Sequence, residues 1–310
     1  EFAEWVDTKY AVAISNGTVA LEIALKALEI EKGDEVIVTS RTFLASVSAI
    51  INVGLTPVFV DLNMDSQNII AETIEPAITE NTKAILTVHL AGWSCEMVPI
   101  MALAKQYGLY VVEDCAQAHG ARYRGRSVGS IGDIGCWSFC QDKIMTTGGE
   151  GGMVTTNNRE LWSKIWAYKD HGKSWEAVFD RDHPPGFKWV HESFGTNGRM
   201  TEMQAAIGRI QLKRMGSWHR SRIENANAIL DCCDQFPSLF RVPRPLGDIE
   251  HAWYKCYVFV RPEGLVRGWT RDRVIEGINT RGVPCFQGSC SEVYLEKAFD
   301  RTGFRPKDRL

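Results

Sequence analysis

Tyr110-Val-Val-Glu-Asp-Cys-Ala-Gln-Ala-His119 and, further on, Gly135-Cys-Trp-Ser-Phe-Cys-Gln-Asp-Lys-Ile-Met-Thr-Thr-Gly-Gly-Glu-Gly-Gly152 are the stretch that decides the fold of this chain. The first run is an apolar strand ending in acid. The second carries Lys143, which follows Ser138 by five residues and precedes a glycine-rich turn. A lysine amine so placed can form a Schiff base with a cofactor aldehyde. The serine hydroxyl can reach a phosphate, and the glycines let the backbone crowd a bound ring. Pyridoxal phosphate has these requirements. Asp114 would then hold the proton on the pyridine nitrogen and make the ring an electron sink, since a buried carboxylate needs a partner and that nitrogen supplies one; the alternative is a helix cap or a salt bridge.

Outward from this stretch the chain alternates. Glu35-Val-Ile-Val-Thr39, Thr56-Pro-Val-Phe-Val-Asp61, Lys83-Ala-Ile-Leu-Thr-Val88 and Leu109-Tyr-Val-Val-Glu113 are short apolar runs expected as strands. Helical spacing covers Thr18 to Leu28, Ala45 to Val53, Ala71 to Ile78 and Met97 to Tyr107. The pattern predicts an α/β fold with a mostly parallel central sheet flanked by helices. Ligands collect at the carboxyl ends of strands in such sheets, where Asp114, Ser138 and Lys143 fall. Beyond Phe194, two long helices are expected over Thr201 to Met215 and Trp218 to Phe236, then a strand over Tyr254 to Val260 and a helix over Arg271 to Asn279. The expected division is a large cofactor-binding domain over residues 1–215 and a smaller α+β domain over 216–310. His171 to Glu192, with Pro184-Pro185-Gly186, reads as a long loop of a length usually reserved for function or mobility.

Composition narrows the class. A net charge of −3 over 310 residues, with no concentrated basic block, argues against nucleic acid or an anionic membrane as partner. Ala45 to Leu55 is the nearest thing to a membrane span and is too short. The nine cysteines form no CxxC pair and have no histidine cluster, so no metal is expected and the thiols read as those of a reduced, cytoplasmic enzyme. The chain opens on Glu1 instead of Met, so part of the N-terminus is expected to be missing.

Other segments complete the site. In Ser15-Asn-Gly-Thr18, Asn16 or Ser15 can cap the first helix, leaving the N–H groups of Gly17 and Thr18 for a phosphate; the alternative is a plain cap. Phe43 can lay its ring on the cofactor, or can be simply core. Gln117 can reach the cofactor's phenolic oxygen. His119 reads as a satisfied core histidine. A nicotinamide-binding fold would need GxGxxG after the first strand, and Ala13-Ile-Ser-Asn-Gly-Thr18 does not supply it.

These segments together resemble the DegT/DnrJ/EryC1/StrS sugar aminotransferase family, within fold type I of the pyridoxal-phosphate enzymes. The resemblance runs through Ser15-Asn-Gly-Thr18, Thr42-Phe43, His89-Leu-Ala-Gly92, Glu113 to Ala121, Gly132-Asp-Ile-Gly135, Ser138-Phe139 with Lys143, Gly149-Glu-Gly-Gly152, Gly195-Thr-Asn-Gly-Arg-Met200 and Gln204-Ala-Ala206. It implies Lys143 as the Schiff-base lysine, Asp114 as pyridinium partner and Gln117 beside the phenolic oxygen. Gly17, Thr18 and Ser138 would hold the phosphate, and Phe43 would stack on the ring. It also implies a homodimer with the active site at the subunit interface, Asn197 reaching the neighbour's phosphate site.

The implied reaction moves an amino group from L-glutamate to a nucleotide-linked keto-deoxysugar, in amino-sugar, lipopolysaccharide or secondary-metabolite glycan biosynthesis. Arg199 and Lys188 are candidates for the sugar pyrophosphate. Family dehydratases typically carry histidine in place of Lys143, so the lysine favours transamination. A dehydratase, a cyclic-ketone aminotransferase and a non-catalytic cofactor-binding regulator are the alternatives. The chain departs from the family in the pair Gly148-Gly149 before Glu150, and in Gly198, expected to leave a smaller wall or a more mobile turn. The segment before Ser15 is short for the family, and the small domain is expected to lack its closing part after Leu310.

Overall fold

The computed structural model describes residues 1–288 and 292–307. In chain order its first half contains α1 (Phe2–Trp5), β1 (Tyr10–Ile14), α2 (Gly17–Ala27), β2 (Glu35–Thr39), α3 (Ala45–Asn52), β3 (Thr56–Val60), α4 (Ala71–Ile74), β4 (Thr82–Val88), α5 (Met97–Tyr107) and β5 (Tyr110–Asp114). Then come β6 (Arg122–Tyr123), β7 (Arg126–Ser127), β8 (Ile134–Ser138), β9 (Gly152–Thr156), α6 (Arg159–Lys169) and α7 (Glu202–Asp234). The last part holds β10 (Phe240–Arg241), β11 (Ile249–Glu250), β12 (Phe259–Val260) and α8 (Arg271–Asn279).

Seven strands form one sheet in the order β1-β9-β8-β5-β4-β2-β3. Only β9 runs against its neighbours. The sheet is therefore mostly parallel, as expected, and helices cover both faces. Along β2, Val36 and Val38 pack on one side with α2 and α3, while Ile37 packs on the other with Ile100 and Leu103 of α5. That two-sided burial is why these strands read as unbroken apolar runs and do not alternate. A third cluster joins Phe2, Trp137, Phe139 and Met145 to Met215 of α7.

Four expectations are corrected. The helices expected at Thr201–Met215 and Trp218–Phe236 are one helix of 33 residues, α7. Gly216 does not interrupt it, because a single glycine costs a helix only about 1 kcal/mol and leaves the hydrogen-bond ladder intact. The strand expected over Tyr254–Val260 is reduced to Phe259–Val260, which pairs with Phe240–Arg241; the preceding residues turn inward, with Trp253 at φ 51°. The helix expected to run to Ile78 ends its α-helical part at Ile74 and continues as a 3-10 turn over Glu75–Ala77, where Pro76 cannot donate. The His171–Glu192 loop contains a π-helical turn, Glu176–Asp180, anchored where Trp175 and Phe179 meet Trp166 of α6.

The segment after α7 does not stay apart from the large sheet unit. Ile249–Glu250 pairs with Arg122–Tyr123, and Tyr294 and Phe299 pack on Phe59. Among the described residues no helix is long and apolar enough to cross a membrane.

Candidate active site

Strand register gathers the site. Asp114 ends β5, Ser138 ends β8, and Gly152, which begins β9, lies opposite both Ser138 and Ile14. Where β1 ends, Asn16 caps α2, its side chain accepting a hydrogen bond from the Val19 N–H at 2.9 Å. The N–H groups of Gly17 and Thr18 have no acceptor among the described residues, as first-turn amides of a helix do not within the helix itself. The start of the helix is pressed against Ser138: a Cβ on Gly17 would lie 2.6 Å from the Ser138 Cβ. A helix N-terminus and a hydroxyl in one recess suit an anion.

Asp114 is buried, 6% exposed. Its Oδ2 accepts from the Ser46 hydroxyl at 2.8 Å and its Oδ1 from the Ala116 N–H at 3.1 Å. Burial pushes its pKa up, while these two donors and the nearby Lys143 pull the other way. Asp114 thus has neutral donors and no cation in contact, which fits a protonated ring nitrogen. Beside it, Gln117 Oε1 accepts from the Ala91 N–H at 2.7 Å, which leaves its NH2 group to donate elsewhere. Phe43, 64% exposed, presents its ring outward from the loop between β2 and α3.

Lys143 Nζ lies 3.5 Å from Asp142 Oδ2 and donates to the Tyr254 hydroxyl at 3.5 Å; the lysine side chain is 15% exposed. Tyr254 in turn donates to Asp142 at 2.7 Å. Neither Asp142 nor Tyr254 was singled out by the sequence reading. No local signal marks Tyr254, which lies 111 residues from Lys143 and meets it only through the fold.

Glu113, one residue before Asp114, was also passed over. It is fully buried and accepts from four N–H groups: His89 Nε2 at 3.0 Å, Gly129 at 2.9 Å, Ile131 at 2.9 Å and Gly132 at 2.6 Å. His89 Nδ1 accepts from the Cys95 N–H at 3.1 Å, which fixes the proton on Nε2. Burial alone would raise the Glu113 pKa, but the His89 hydrogen bond and the amides hold it below the usual carboxylate range. The pair clamps the ends of β4 and β5 and so holds Asp114 in place. An acid doublet after an apolar strand was the available signal.

Other expected residues lie differently. Asn197 and Arg199 are exposed at the end of the 171–199 segment. Arg199 donates from Nε to Asn197 Oδ1 at 3.1 Å and pairs with Asp170 at 3.2 Å. Lys188 is exposed on the same segment, next to Phe187 at 75% and Trp189 at 81% exposure. Gly198 leaves neither an open wall nor a loose turn. It is buried, a Cβ there would lie 2.9 Å from Ile23 Cδ1 of α2, and its carbonyl accepts from the Ser15 N–H at 2.8 Å. The helix side chain fills the space that a larger residue would need. His119 is buried, but it is not satisfied: neither ring nitrogen has a partner among the described residues, and Trp137 and Phe139 flank the ring.

GDP-perosamine synthase of Escherichia coli O157:H7 is 40% identical over 279 residues, which cover 89% of this chain and 73% of that protein. The solved aminotransferase from Psychrobacter cryohalolentis is 62% identical, with a TM-score of 0.98 over 100% of this chain and 80% of its own. The E. coli GDP-4-keto-6-deoxy-D-mannose-3-dehydratase, solved with bound hydrated PLP, is 26% identical with a TM-score of 0.85 over 98% and 79% of the two chains. A family model matches residues 1–308, and the chain belongs to the DegT/DnrJ/EryC1/StrS aminotransferase family.

Proposed function

We propose that the protein is a pyridoxal-phosphate-dependent aminotransferase that moves an amino group from L-glutamate to a keto-deoxysugar carried on a nucleotide. The observation that carries this reading is a set of groups at the sheet's carboxyl edge. It combines a mostly buried lysine amine, a buried carboxylate with no cation in contact among the described residues, and the helix start at Gly17 and Thr18 pressed against Ser138. Relatives support the substrate class: one is named for a GDP-linked amino sugar, another is a solved aminotransferase.

Pyridoxal phosphate, when bound, supplies the electron sink that makes a donor's α-carbon proton acidic. Each residue then has a task. Gly17, Thr18 and Ser138 bind the phosphate and fix the ring's position. Asp114 holds the proton on the ring nitrogen and, with its Ser46 and Ala116 donors already oriented, needs no reorganisation to do so. The NH2 group of Gln117 donates to the phenolic oxygen. Phe43 covers one face and excludes water. Lys143 Nζ would take the proton from the donor's α-carbon and deliver it to the carbon on the other side of the donor nitrogen. Transamination needs this amine, and the chain keeps it.

Arg199 and Lys188 are proposed for the sugar pyrophosphate, and Asn197 for the phosphate site of a second copy in a homodimer. We also propose that the enzyme works in the cytoplasm, and that residues 1–215 act as the cofactor unit while 216–310 act as the smaller one.

The test is the absorbance of the cofactor-loaded protein before and after excess L-glutamate, with Lys143→Ala alongside. A yellow band that bleaches only in the wild type, and returns when a keto-sugar nucleotide is added, supports the reading. A wild-type protein with no yellow band rejects the cofactor assignment. A band indifferent to glutamate rejects the amino donor and moves a dehydration reaction to the front.

A further inference from the structure

Lys143 has a place to go when its amine is released from the cofactor, and that place is built from two residues that the proposed chemistry does not yet use. Asp142 precedes it in sequence; Tyr254 arrives from beyond α7. The Tyr254 hydroxyl donates to Asp142 Oδ2 at 2.7 Å, Lys143 Nζ donates to that hydroxyl at 3.5 Å, and the lysine–aspartate separation is 3.5 Å. The Lys143 Nζ also lies 5.1 Å from the centroid of the Tyr254 ring. We propose that Asp142 and Tyr254 are positioning residues that receive and hold the Lys143 amine in its released state, keeping it beside the reacting carbon between its two proton transfers. The proposal rests on the aminotransferase reading of this site.

The proton balance is simple. The released amine is neutral. On taking the α-proton of the donor it becomes an ammonium, which donates to the Tyr254 oxygen and pairs with the Asp142 carboxylate. It then delivers that proton to the carbon on the other side of the donor nitrogen, so one carbon loses a proton, another gains it, and none is exchanged with solvent. A pair that is too strong would trap the ammonium, and none at all would let the long side chain wander. The observed distances, at the outer edge of hydrogen bonding, fit the middle course.

Two features show that the pair is built and not incidental. Tyr254 is held through the chain that leads into it: Arg222 donates to the Trp253 carbonyl at 3.0 Å and His219 contacts the His251 carbonyl at 3.0 Å, so α7 fixes the backbone just before the tyrosine. Burial raises the Tyr254 pKa, and its bond to Asp142 raises it further, so the hydroxyl stays protonated and keeps donating. Asp142 is held below the usual carboxylate range by the Tyr254 hydrogen bond and by Lys143, against a burial effect of opposite sign, so it stays charged. Other charged or titratable groups around the amine and its two partners are Asp114 and His119, Cys140 against Asp142, and Arg222, Lys255 and Tyr257 near the tyrosine.

The experiment uses the full chain stripped of cofactor. Pyridoxal 5'-phosphate is added at fixed neutral pH, the adduct is trapped with borohydride at timed intervals, and the labelled peptide is identified by mass. Asp142→Asn should speed capture at Lys143 roughly threefold to tenfold, because the carboxylate 3.5 Å away no longer holds the amine back from the aldehyde. Asp142→Glu should restore the slower rate. In the loaded enzyme, Tyr254→Phe should lower kcat about tenfold with KM for glutamate unchanged, the pattern of a group that acts after binding. Capture by Asp142→Asn at the wild-type rate overturns the proposal. If Asp142→Asn fails to fold, an unchanged kcat in Tyr254→Phe overturns it instead. Wild-type label found anywhere but Lys143 rejects the cofactor reading itself, a distinct result.

Discussion

Gly17 and Ser138 share one space: a Cβ on Gly17 would fall 2.6 Å from the serine Cβ and 3.0 Å from its Oγ. The start of α2 and the end of β8 are thereby pressed together, which aims a hydroxyl and two helix N–H groups into the same recess. Gly17→Ala should destabilise the protein by about 1–3 kcal/mol through overpacking and should weaken cofactor binding as the recess widens. Urea unfolding together with a pyridoxal phosphate titration checks both. An unchanged unfolding midpoint and affinity would show that the contact is slack.

Asp114→Asn separates stability from catalysis. Burial raises the Asp114 pKa above its unfolded value, so the carboxyl favours the folded state at low pH, and that contribution is lost as pH rises through the raised pKa. At neutral pH the cofactor-free variant should therefore be at least as stable as the wild type. The loaded variant should lose about 100-fold in kcat, because an amide cannot hold a proton on the ring nitrogen. A thermal scan and a turnover assay on the same preparation give the two answers.

Glu113 carries the opposite expectation. Glu113→Ala would leave the N–H groups of His89, Gly129, Ile131 and Gly132 buried without their acceptor. A loss of about 3–5 kcal/mol is expected, because several buried donors lose their acceptor at about 1–3 kcal/mol each. Chemical denaturation measures it, and a loss below about 1 kcal/mol would mean that water or a rearranged loop replaces the carboxylate.

Two buried histidines set the acid limit. Burial lowers the pKa of His119 and of His251 to about 3, from 6.5. Between those values the unfolded chain binds the extra protons, so stability is full above pH 6.5 and is lost progressively as pH falls toward 3. At pH 5 each histidine should remove about 2 kcal/mol. Urea midpoints at pH 7.5 and pH 5 should thus differ less in His119→Phe than in the wild type. An equal difference would show that the His119 ring is protonated or hydrated in the folded state.

Gly198 is tied to Ile23 by the same steric logic. Gly198→Ala should cost about 1–3 kcal/mol, and Ile23→Val, which removes the Cδ1 atom 2.9 Å from the new Cβ, should recover much of it. A double-mutant cycle by denaturation reads the coupling, and additivity would place the strain elsewhere.

The hydrophobic pattern of the amino-acid sequence by itself determined the sheet and most of its helices. Strands buried on both faces must be apolar throughout, so β2, β3, β4 and β5 stood out, and Ser138 and the glycines around Lys143 marked it as the lysine proposed for the cofactor. The antiparallel strand β9 and the edge strand β1 were not named, because a strand that borders a motif carries no signal separate from it. The unbroken α7 was also hidden, since one glycine with open space around it looks the same in sequence as a helix break. Only the tertiary structure decided which side chains meet over long separations. Tyr254 reaches Lys143 across 111 residues, His89 reaches Glu113 across 24, and Gly198 closes on α2 where an open wall was expected. Local propensity acts over a few residues, whereas these contacts depend on strand order and register, which exist only once the whole sheet has assembled.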